Sequence, residues 1–335
     1  MTIEYFKNII DLNSPDLKYK MIEDAIASAI TEGKISQGEI LPSVNEMSKG
    51  CALSRDTIYK AYSRLKKKGL IESVPNRGYF ACKPERRIFM LLDTFKAYKE
   101  VLYHSFRTAL PEDLPLDIRF HHYNINVFET AVKESVGKYS KYVVMNFDNP
   151  RIEKIIKKIP KEKLLLIDWN IHAIEGASKI WQDFGQGVYD ALASCLPKIR
   201  KYQKLVCLYP EFTDHPMETV TYISRFCADH NIECQTIYST KQFDIKFGEL
   251  YFLVSDRTLA MFLEQCQTKG LVPGKSVGVI SYNETPMKKY VSNGISVIST
   301  DFGLMGRKAA EFVLSPEAES SNIKIPTKII LRNSL

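Results

Sequence analysis

The sequence predicts an α/β protein in two parts: a small helical domain closed by a β-hairpin, then doubly wound parallel sheets in two lobes. Three observations predict this. Apolar residues recur at helical spacing in three successive segments before Gly69, and the pattern then changes to strand, turn, strand. Beyond residue 87, short apolar runs alternate with helical stretches over 248 residues, the signature of parallel sheets covered by helices. The composition is that of an ordinary globular chain: 335 residues, 45% hydrophobic and 25% charged, a length that favours two domains. Wholesale disorder and collagen-like repeats are excluded by it. No run approaches the ~18 apolar residues of a membrane span, and Met1–Asn13 carries Glu4, Lys7 and Asp11 where a signal peptide needs an apolar core. The seven cysteines form no C-x-x-C pair and read as reduced, mostly buried thiols of a cytoplasmic protein.

In the first part, Ile22, Ala25, Ile26, Ala29 and Ile30 predict a helix that Gly33 terminates. Ser43 and Glu46 form a capping box for a short helix through Lys49. Gly50 to Leu53 is expected to make a tight corner, and Ser54 to cap a third helix with an apolar face of Ile58, Ala61, Tyr62 and Leu65. Arg55, Asp56, Tyr59, Lys60, Ser63, Arg64 and Lys67 are left outside. Leu70–Val74, a Pro75–Gly78 turn and Tyr79–Cys82 predict the hairpin. The net charge of +7 concentrates here: residues 49–87 hold eleven Lys and Arg against three Asp and Glu. Residues 1–48 hold four against eight, and residues 88–335 hold 31 against 28. A basic segment with a regular helix pattern is a candidate phosphate-facing surface. Lys66–Lys68, at the distal end of the helix, read equally well as a solvated face.

Three helices and a hairpin are the layout of a winged helix-turn-helix. Leu41-Pro42-Ser43, Leu53-Ser54-Arg55-Asp56-Thr57-Ile58, Ala61-Tyr62, Leu65, Gly69-Leu70-Ile71 and Gly78-Tyr79-Phe80 resemble the DNA-binding domain of GntR-type bacterial repressors, from about Lys20 to Cys82. The resemblance implies operator contacts from Ser54, Arg55 and Thr57 at the start of the recognition helix. Ser43, Asn45, Tyr59 and Lys60 complete the candidate DNA-binding set on the helices. Tyr59 and Asn45 stand where branches of the family have a contacting Arg. Arg77 and Gly78 mark the wing tip, with an Arg suited to a minor groove.

Lys83–Arg87 reads as a linker, giving domains at 1–82 and 88–335. After it, strands are predicted at Ile88–Leu92, Leu116–Phe120, Tyr142–Asn146, Leu164–Asp168, Lys179–Gln182, Leu205–Tyr209, Glu233–Tyr238, Leu250–Val254, Ser276–Ser281, Ile295–Ser299 and Lys328–Leu331. Helices alternate with them, including Phe128–Tyr139, boxed by Asn126 and Glu129, Pro216–His230 and Thr258–Lys269. Leu253–Ala260, Lys269–Gly274, Val277–Thr285, Ser299–Phe302, Gly306 and Ile325–Ser334 resemble the effector domain of lactose-repressor-type regulators, itself similar to periplasmic sugar-binding proteins.

That resemblance implies two lobes closing on a small ligand, with Asp168, Asp256, Asn283 and Phe302 at the crevice. Trp169 is a candidate second stacking ring beside Asp168. His215, Lys99, His122 and Asn124 are further candidates near strand ends, and His121 reads equally as a core histidine. With only Lys99 and Arg257 near the inferred rim, a neutral monosaccharide is the expected effector. The implied protein is a cytoplasmic homodimeric regulator, expected to be a repressor, acting on a near-palindromic operator without cofactor, metal or membrane. The alternative is a DNA-binding domain fused to an enzyme. Some GntR-type chains carry an aminotransferase-like pyridoxal phosphate domain, but that domain is longer than 248 residues. Its active-site lysine has no counterpart context here, and no G-x-S-x-G, H-E-x-x-H or Walker sequence appears.

Overall fold

The computed structural model describes residues 3, 4, 6, 17–36, 38–74, 77–82, 87–136, 138–169, 174–315 and 321–335. The predicted linker at 83–86 and the wing residues Pro75 and Asn76 lie outside them. The chain divides into two compact units, one of residues 1–90, 113–119 and 129–142, the other of 91–112, 120–128 and 143–335.

The first unit opens with α1 (Lys18–Thr31), β1 (Ile40–Leu41), α2 (Val44–Cys51), α3 (Arg55–Lys67), β2 (Ile71–Val74) and β3 (Gly78–Ala81). Ser43 caps α2 in a complete capping box with Glu46, and Ser54 caps α3 through the Thr57 amide. The corner between them differs from expectation. Gly50 lies inside α2, where the Ile3 side chain would collide with any Cβ, and the left-handed residue is Ala52. Ile22, Ile26 and Ala29 from α1, Met47 from α2, and Ile58, Ala61, Tyr62 and Leu65 from α3 are all fully buried in one core. The Tyr62 hydroxyl donates to the Pro42 carbonyl at 2.7 Å, pinning α3 to the entrance of α2. β3 pairs antiparallel with both β2 and β1. The two-residue strand β1 has no periodicity of its own to announce it.

Glu23 on α1 is 1% exposed and receives Arg64 at 2.5 Å and Lys68 at 2.7 Å from α3. Burial works to raise its carboxyl, but hydrogen bonds and charge from Lys68 and Arg64 prevail and hold it below the ordinary value.

The strands that follow are β4 (Ile88–Leu92), β5 (Leu116–Phe120), β6 (Lys141–Met145), β7 (Leu164–Asp168) and β8 (Ser178–Gln182), then β9 (Lys204–Leu208), β10 (Glu233–Ile237), β11 (Glu249–Leu253), β12 (Gly278–Tyr282), β13 (Ser296–Thr300), β14 (Asn322–Ile325) and β15 (Thr327–Ile330). They make two six-stranded sheets, β14-β8-β7-β6-β4-β5 and β10-β9-β11-β12-β13-β15. Strands β10, β9, β11, β12 and β13 are parallel, and β15 runs antiparallel on β13. The inner strands β9, β11, β12 and β13 are buried on both faces, as parallel strands require, while the edge strands β10 and β15 are partly exposed. Helices between them include α4 (Ala97–Thr108), α5 (Ile125–Ser135), α6 (Ile152–Ile156), α7 (Gln186–Ala193), α8 (Leu196–Ile199), α9 (Glu218–Asp229), α10 (Asp256–Lys269) and α11 (Phe302–Leu314).

The chain passes between the sheets three times: after β8, through α11 to β14, and from β14 to β15. Strand β14 was absent from the sequence expectation: Asn322–Ile325 is a four-residue edge strand that alternates polar and apolar residues, without the apolar run that marks the inner strands. Helix α5 begins earlier than expected, and Asn124, not Asn126, caps it by accepting from the amides of Asn126 and Val127. Helices α4 and α11 pack closely. A Cβ on Gly306 would lie 2.3 Å from the Leu102 carbonyl, so only glycine fits this crossing. Five of the seven cysteines are buried.

Replacing Glu23 with Gln removes the carboxylate that unites α1 and α3, and should cost about 2 kcal/mol at pH 7. A carboxyl whose folded pKa is depressed stabilises above its unfolded value and loses that contribution as pH falls. Urea melts should therefore converge for parent and Glu23→Gln below about pH 4, and equal stability at pH 7 would contradict the assignment.

Candidate functional site

The amino end of α3 presents Ser54, Arg55, Asp56 and Tyr59 to solvent, Tyr59 at 61% exposure. Ser54 Oγ accepts from the Thr57 amide at 3.1 Å and lies 2.8 Å from Thr57 Oγ1. Both side chains thus hold the helix start while remaining at its surface. Ser43 does the same for α2, with Asn45 exposed one turn along. Lys60 is turned toward α1, its ammonium 4.1 Å above the Tyr19 ring. Arg64 reaches Tyr19 as well as Glu23, and Lys66 donates to Ser73 at 2.6 Å. Arg77 lies 5.7 Å over Phe80, and Gly78 has φ of +105°, which a side chain would strain. Arg55 is exposed on the first turn of α3.

In the second unit, loops at the carboxyl ends of strands from both sheets line a cavity of about 470 Å³. One wall comes from Asp93 after β4, Lys96 and Tyr98 at the start of α4, Tyr123 after β5 and Asn146 after β6. Asp168 ends β7 and Trp169 follows it; Gln182 ends β8 and Phe184 lies just beyond it. The other wall comes from Phe212–Pro216 after β9, Val254–Arg257 after β11, and Tyr282 and Asn283 at the end of β12. Convergence of strand-end loops on one crevice is the rule for such sheets.

Of the residues expected at the ligand, Asp168, Trp169, His215, Asp256 and Asn283 line this cavity. Asp168 is buried in a left-handed conformation, with φ of +77°. Burial pushes its carboxyl up to about 6, opposed by Lys99 and by the Gln182 amide, which donates to it at 2.5 Å. His215 Nε2 lies 2.8 Å from Thr219 Oγ1, whose hydroxyl donates to the Phe184 carbonyl. Nε2 therefore carries the proton and Nδ1 is an acceptor, and burial drops the ring to about 3, so it is neutral.

Asp256 is not the cap of α10, a role filled by Ser255. It pairs with the buried Lys288 at 2.7 Å, and Lys288 also donates to the carbonyls of Tyr282 and Asn283. Asn283, left-handed at φ of +61°, has a buried Oδ1 without a hydrogen-bond partner among the described residues.

The other four expected residues lie off the lining. Lys99 is fully buried and bonds Asp93, which also accepts from Tyr123 at 2.5 Å. Phe302 packs behind the wall, 4.6 Å from Tyr98. Asn124 caps α5, and His122 is exposed beside Phe120. His121 is a core histidine: Nδ1 accepts from the Tyr123 amide and Nε2 meets the Met145 carbonyl at 3.0 Å. The expectation missed Asp93, Lys96, Tyr98, Tyr123, Gln182, Phe184, Phe212, Asp214 and Tyr282. Asp93 and Tyr282 follow directly on a predicted strand, Gln182 ends one, and Tyr123, Phe184 and Phe212 come within three residues of one, which is the signal that could have found them.

Among the described residues, no helix is long and apolar enough to cross a membrane, and no group of three or more His, Cys, Asp or Glu could hold a metal ion. The description "Bacterial regulatory proteins, gntR family" matches residues 18–80, and "Periplasmic binding protein-like domain" matches residues 202–335. The chain is 27% identical over 146 residues to the HTH-type transcriptional regulator GalR of Streptococcus thermophilus, spanning about two fifths of each protein (41% of this chain and 41% of that one). Its fold matches the trehalose repressor from Escherichia coli, with TM-score 0.62, 12% identity and coverage of 73% of this chain and 100% of that one. It also matches a LacI family transcriptional regulator from Arthrobacter sp. FB24 in complex with lactose, with TM-score 0.59, 14% identity and coverage of 74% and 98%.

The raised Asp168 carboxyl makes a signed prediction. Folding favours its protonated form, so its penalty grows as pH rises through about 6. Between pH 5 and 8 the parent should lose roughly 1 kcal/mol more stability than Asp168→Asn. Parallel pH dependences in denaturant melts would refute it.

Proposed function

The chain joins a GntR-type helix-turn-helix domain to a periplasmic-binding-protein-like domain, and on that premise we propose that it is a bacterial transcriptional regulator whose operator affinity is set by a neutral sugar in the cavity. Residues 1–82 are the DNA-binding domain, 83–87 the linker and 88–335 the effector domain. The observation that carries this reading is the cavity wall. Trp169, Phe184, Phe212 and Tyr282 offer ring faces and edges, and Asp168, His215 and Asn283 offer hydrogen-bonding groups. That mixture suits the C–H faces and hydroxyls of a saccharide.

Charge favours a neutral ligand. Asp93, Asp168, Asp214 and Asp256 outnumber Lys96 and Arg257 on the lining, and the Arg257 guanidinium lies 4.5 Å over the Phe212 ring. A phosphosugar would meet more carboxylates than cations. The sugars in the matched proteins' names, trehalose and lactose, are of the same class. Those proteins are regulators, which favours a binding protein over an enzyme here.

Two such chains paired as a homodimer would present two α3 helices to a near-palindromic operator. Ligand and DNA then alter each other's affinity by one common factor, because both act on the same equilibrium between conformations. A repressor released by its sugar is the simplest form of this scheme.

A thermal-shift screen over lactose, trehalose, D-galactose, D-glucose, D-xylose and their phosphates tests the effector. One neutral sugar should raise Tm, with ~2.7 kcal/mol of stabilisation at a hundredfold excess over its Kd. A response to phosphorylated sugars alone would overturn neutrality. For DNA, selection from a random duplex pool should yield a near-palindromic site, and Arg55→Ala should weaken it by about 1–3 kcal/mol per half-site while relaxing one base pair. Unchanged affinity and specificity in Arg55→Ala would remove this residue from the interface.

A further inference from the structure

Gln182 occupies an unusual position. It is the last residue of β8, immediately before the first passage between the sheets, and it is 3% exposed. Its amide nitrogen donates to Asp168 Oδ1 at 2.5 Å. Its carbonyl oxygen lies 3.3 Å from the Tyr282 hydroxyl and 3.3 Å from Thr300 Oγ1. Tyr282 ends β12, and Thr300 ends β13 just before the second passage. Thr300 Oγ1 lies 3.1 Å from Thr327 Oγ1, in the first residue after the third passage, and Thr327 donates onward to the Asp183 carbonyl at 2.9 Å. All three connections between the sheets therefore meet in one buried polar cluster, with a cavity carboxyl at its edge.

We infer that Gln182 is the positioning residue that couples this cavity to the connections between its lobes, holding Asp168 with one end of its amide and the hydroxyls of Tyr282 and Thr300 with the other. This rests on the cavity being the effector site, but the coupling within the protein stands on its own geometry. A planar amide cannot reorient one end without moving the other. A ligand hydroxyl that draws Asp168 away from Gln182 alters what the carbonyl offers to Thr300, and lobe movement at Thr300 alters how Asp168 is held. Burial makes each of these bonds costly to leave unmade.

The groups facing Asp168 are known. Lys99, Lys96 and Tyr98 approach from α4 and its entrance, Asp93 from the end of β4, Tyr123 from beyond β5 and Tyr282 from β12. Thr300 does not bond Asp168 and carries no charge, so any effect of Thr300 on that carboxyl has to pass through an intermediary.

Trp169 adjoins Asp168, and the chain has one other tryptophan, Trp181. In the full-length Trp181→Phe protein, Trp169 emission followed against pH reports the Asp168 titration without any ligand. Asp168→Asn should abolish that transition, which identifies it. Gln182→Leu should raise the midpoint by half a pH unit or more, because the bond it removes favours the ionised form. Thr300→Val should shift the midpoint by a smaller amount, and this shift should vanish in the Gln182→Leu background. Far-UV circular dichroism and Tm identify variants that fail to fold, in which case Gln182→Met and Thr300→Ala stand in for them.

An unshifted midpoint in folded Gln182→Leu, or a Thr300→Val shift that persists without Gln182, overturns the coupling. If a sugar from the screen binds, the ratio of its affinities with and without DNA should move toward one in Gln182→Leu. Failure of every sugar would count against the effector reading and leave the midpoint test to decide the coupling.

Discussion

Parallel pairing constrains nearly everything in the larger part of this protein. A parallel strand cannot be joined to its neighbour by a tight turn, so each connection has to travel back along the sheet, here through helices. The parallel strands of each sheet therefore end on one side, and their loops gather there, while β15 alone in its sheet runs the other way. Asp93, Asp168, Gln182, His215, Ser255 and Asn283 come from distant points in the sequence, yet all stand just beyond a strand's carboxyl end. The cavity follows from the topology, and its chemistry from which side chains occupy those positions.

Polar groups in such a cavity need supports that are themselves satisfied. Lys288 illustrates this: a buried ammonium with two carbonyls and the Asp256 carboxylate around it, bridging the end of β12 to the start of α10. Burial lowers its pKa and Asp256 opposes that, so the ion pair keeps the lysine charged where it would otherwise be disfavoured. Asp93, Lys99 and Tyr123 form a comparable group on the facing wall. Neutralised in pairs, these charges shape the cavity without giving it a strong field. Asp168, His215 and Asn283 line the same cavity, with Lys96, Asp214 and Arg257 beside them.

Much of this was legible in the sequence, for identifiable reasons. The helical spacing of Ile58, Ala61, Tyr62 and Leu65 and the Ser43–Glu46 box are local signals, and local signals fixed α2 and α3. The strands of the sheets were legible because buried parallel strands are continuous apolar runs. What escaped was decided by tertiary context. Lys99 stands near a strand end and reads as a rim cation, yet the side chain runs inward to Asp93. Phe302 belongs to a helix start whose first turn packs against Tyr98, one layer behind the cavity. Asn126 stands at capping-box spacing from Glu129, yet the chain enters the helix earlier and Asn124 caps it. Gln182 was visible as the end of a predicted strand but silent as to role, since its partners lie 14, 100 and 118 residues away.

The embrace of Glu23 by Arg64 and Lys68 also changes what the basic segment can do. Counterions condensed on a duplex are released only by cations that come to sit against phosphate. Arg64 and Lys68 share the single Glu23 carboxylate, which cancels one of their two charges, and Lys60 leans on the Tyr19 ring. The steepness with which salt weakens this protein's hold on DNA should therefore reflect a handful of cations around Arg55 and the wing, well short of the eleven that residues 49–87 contain. With α3 as the proposed reading helix, such an arrangement would give little indiscriminate grip on nucleic acid and leave site preference to the fit of that helix to the bases.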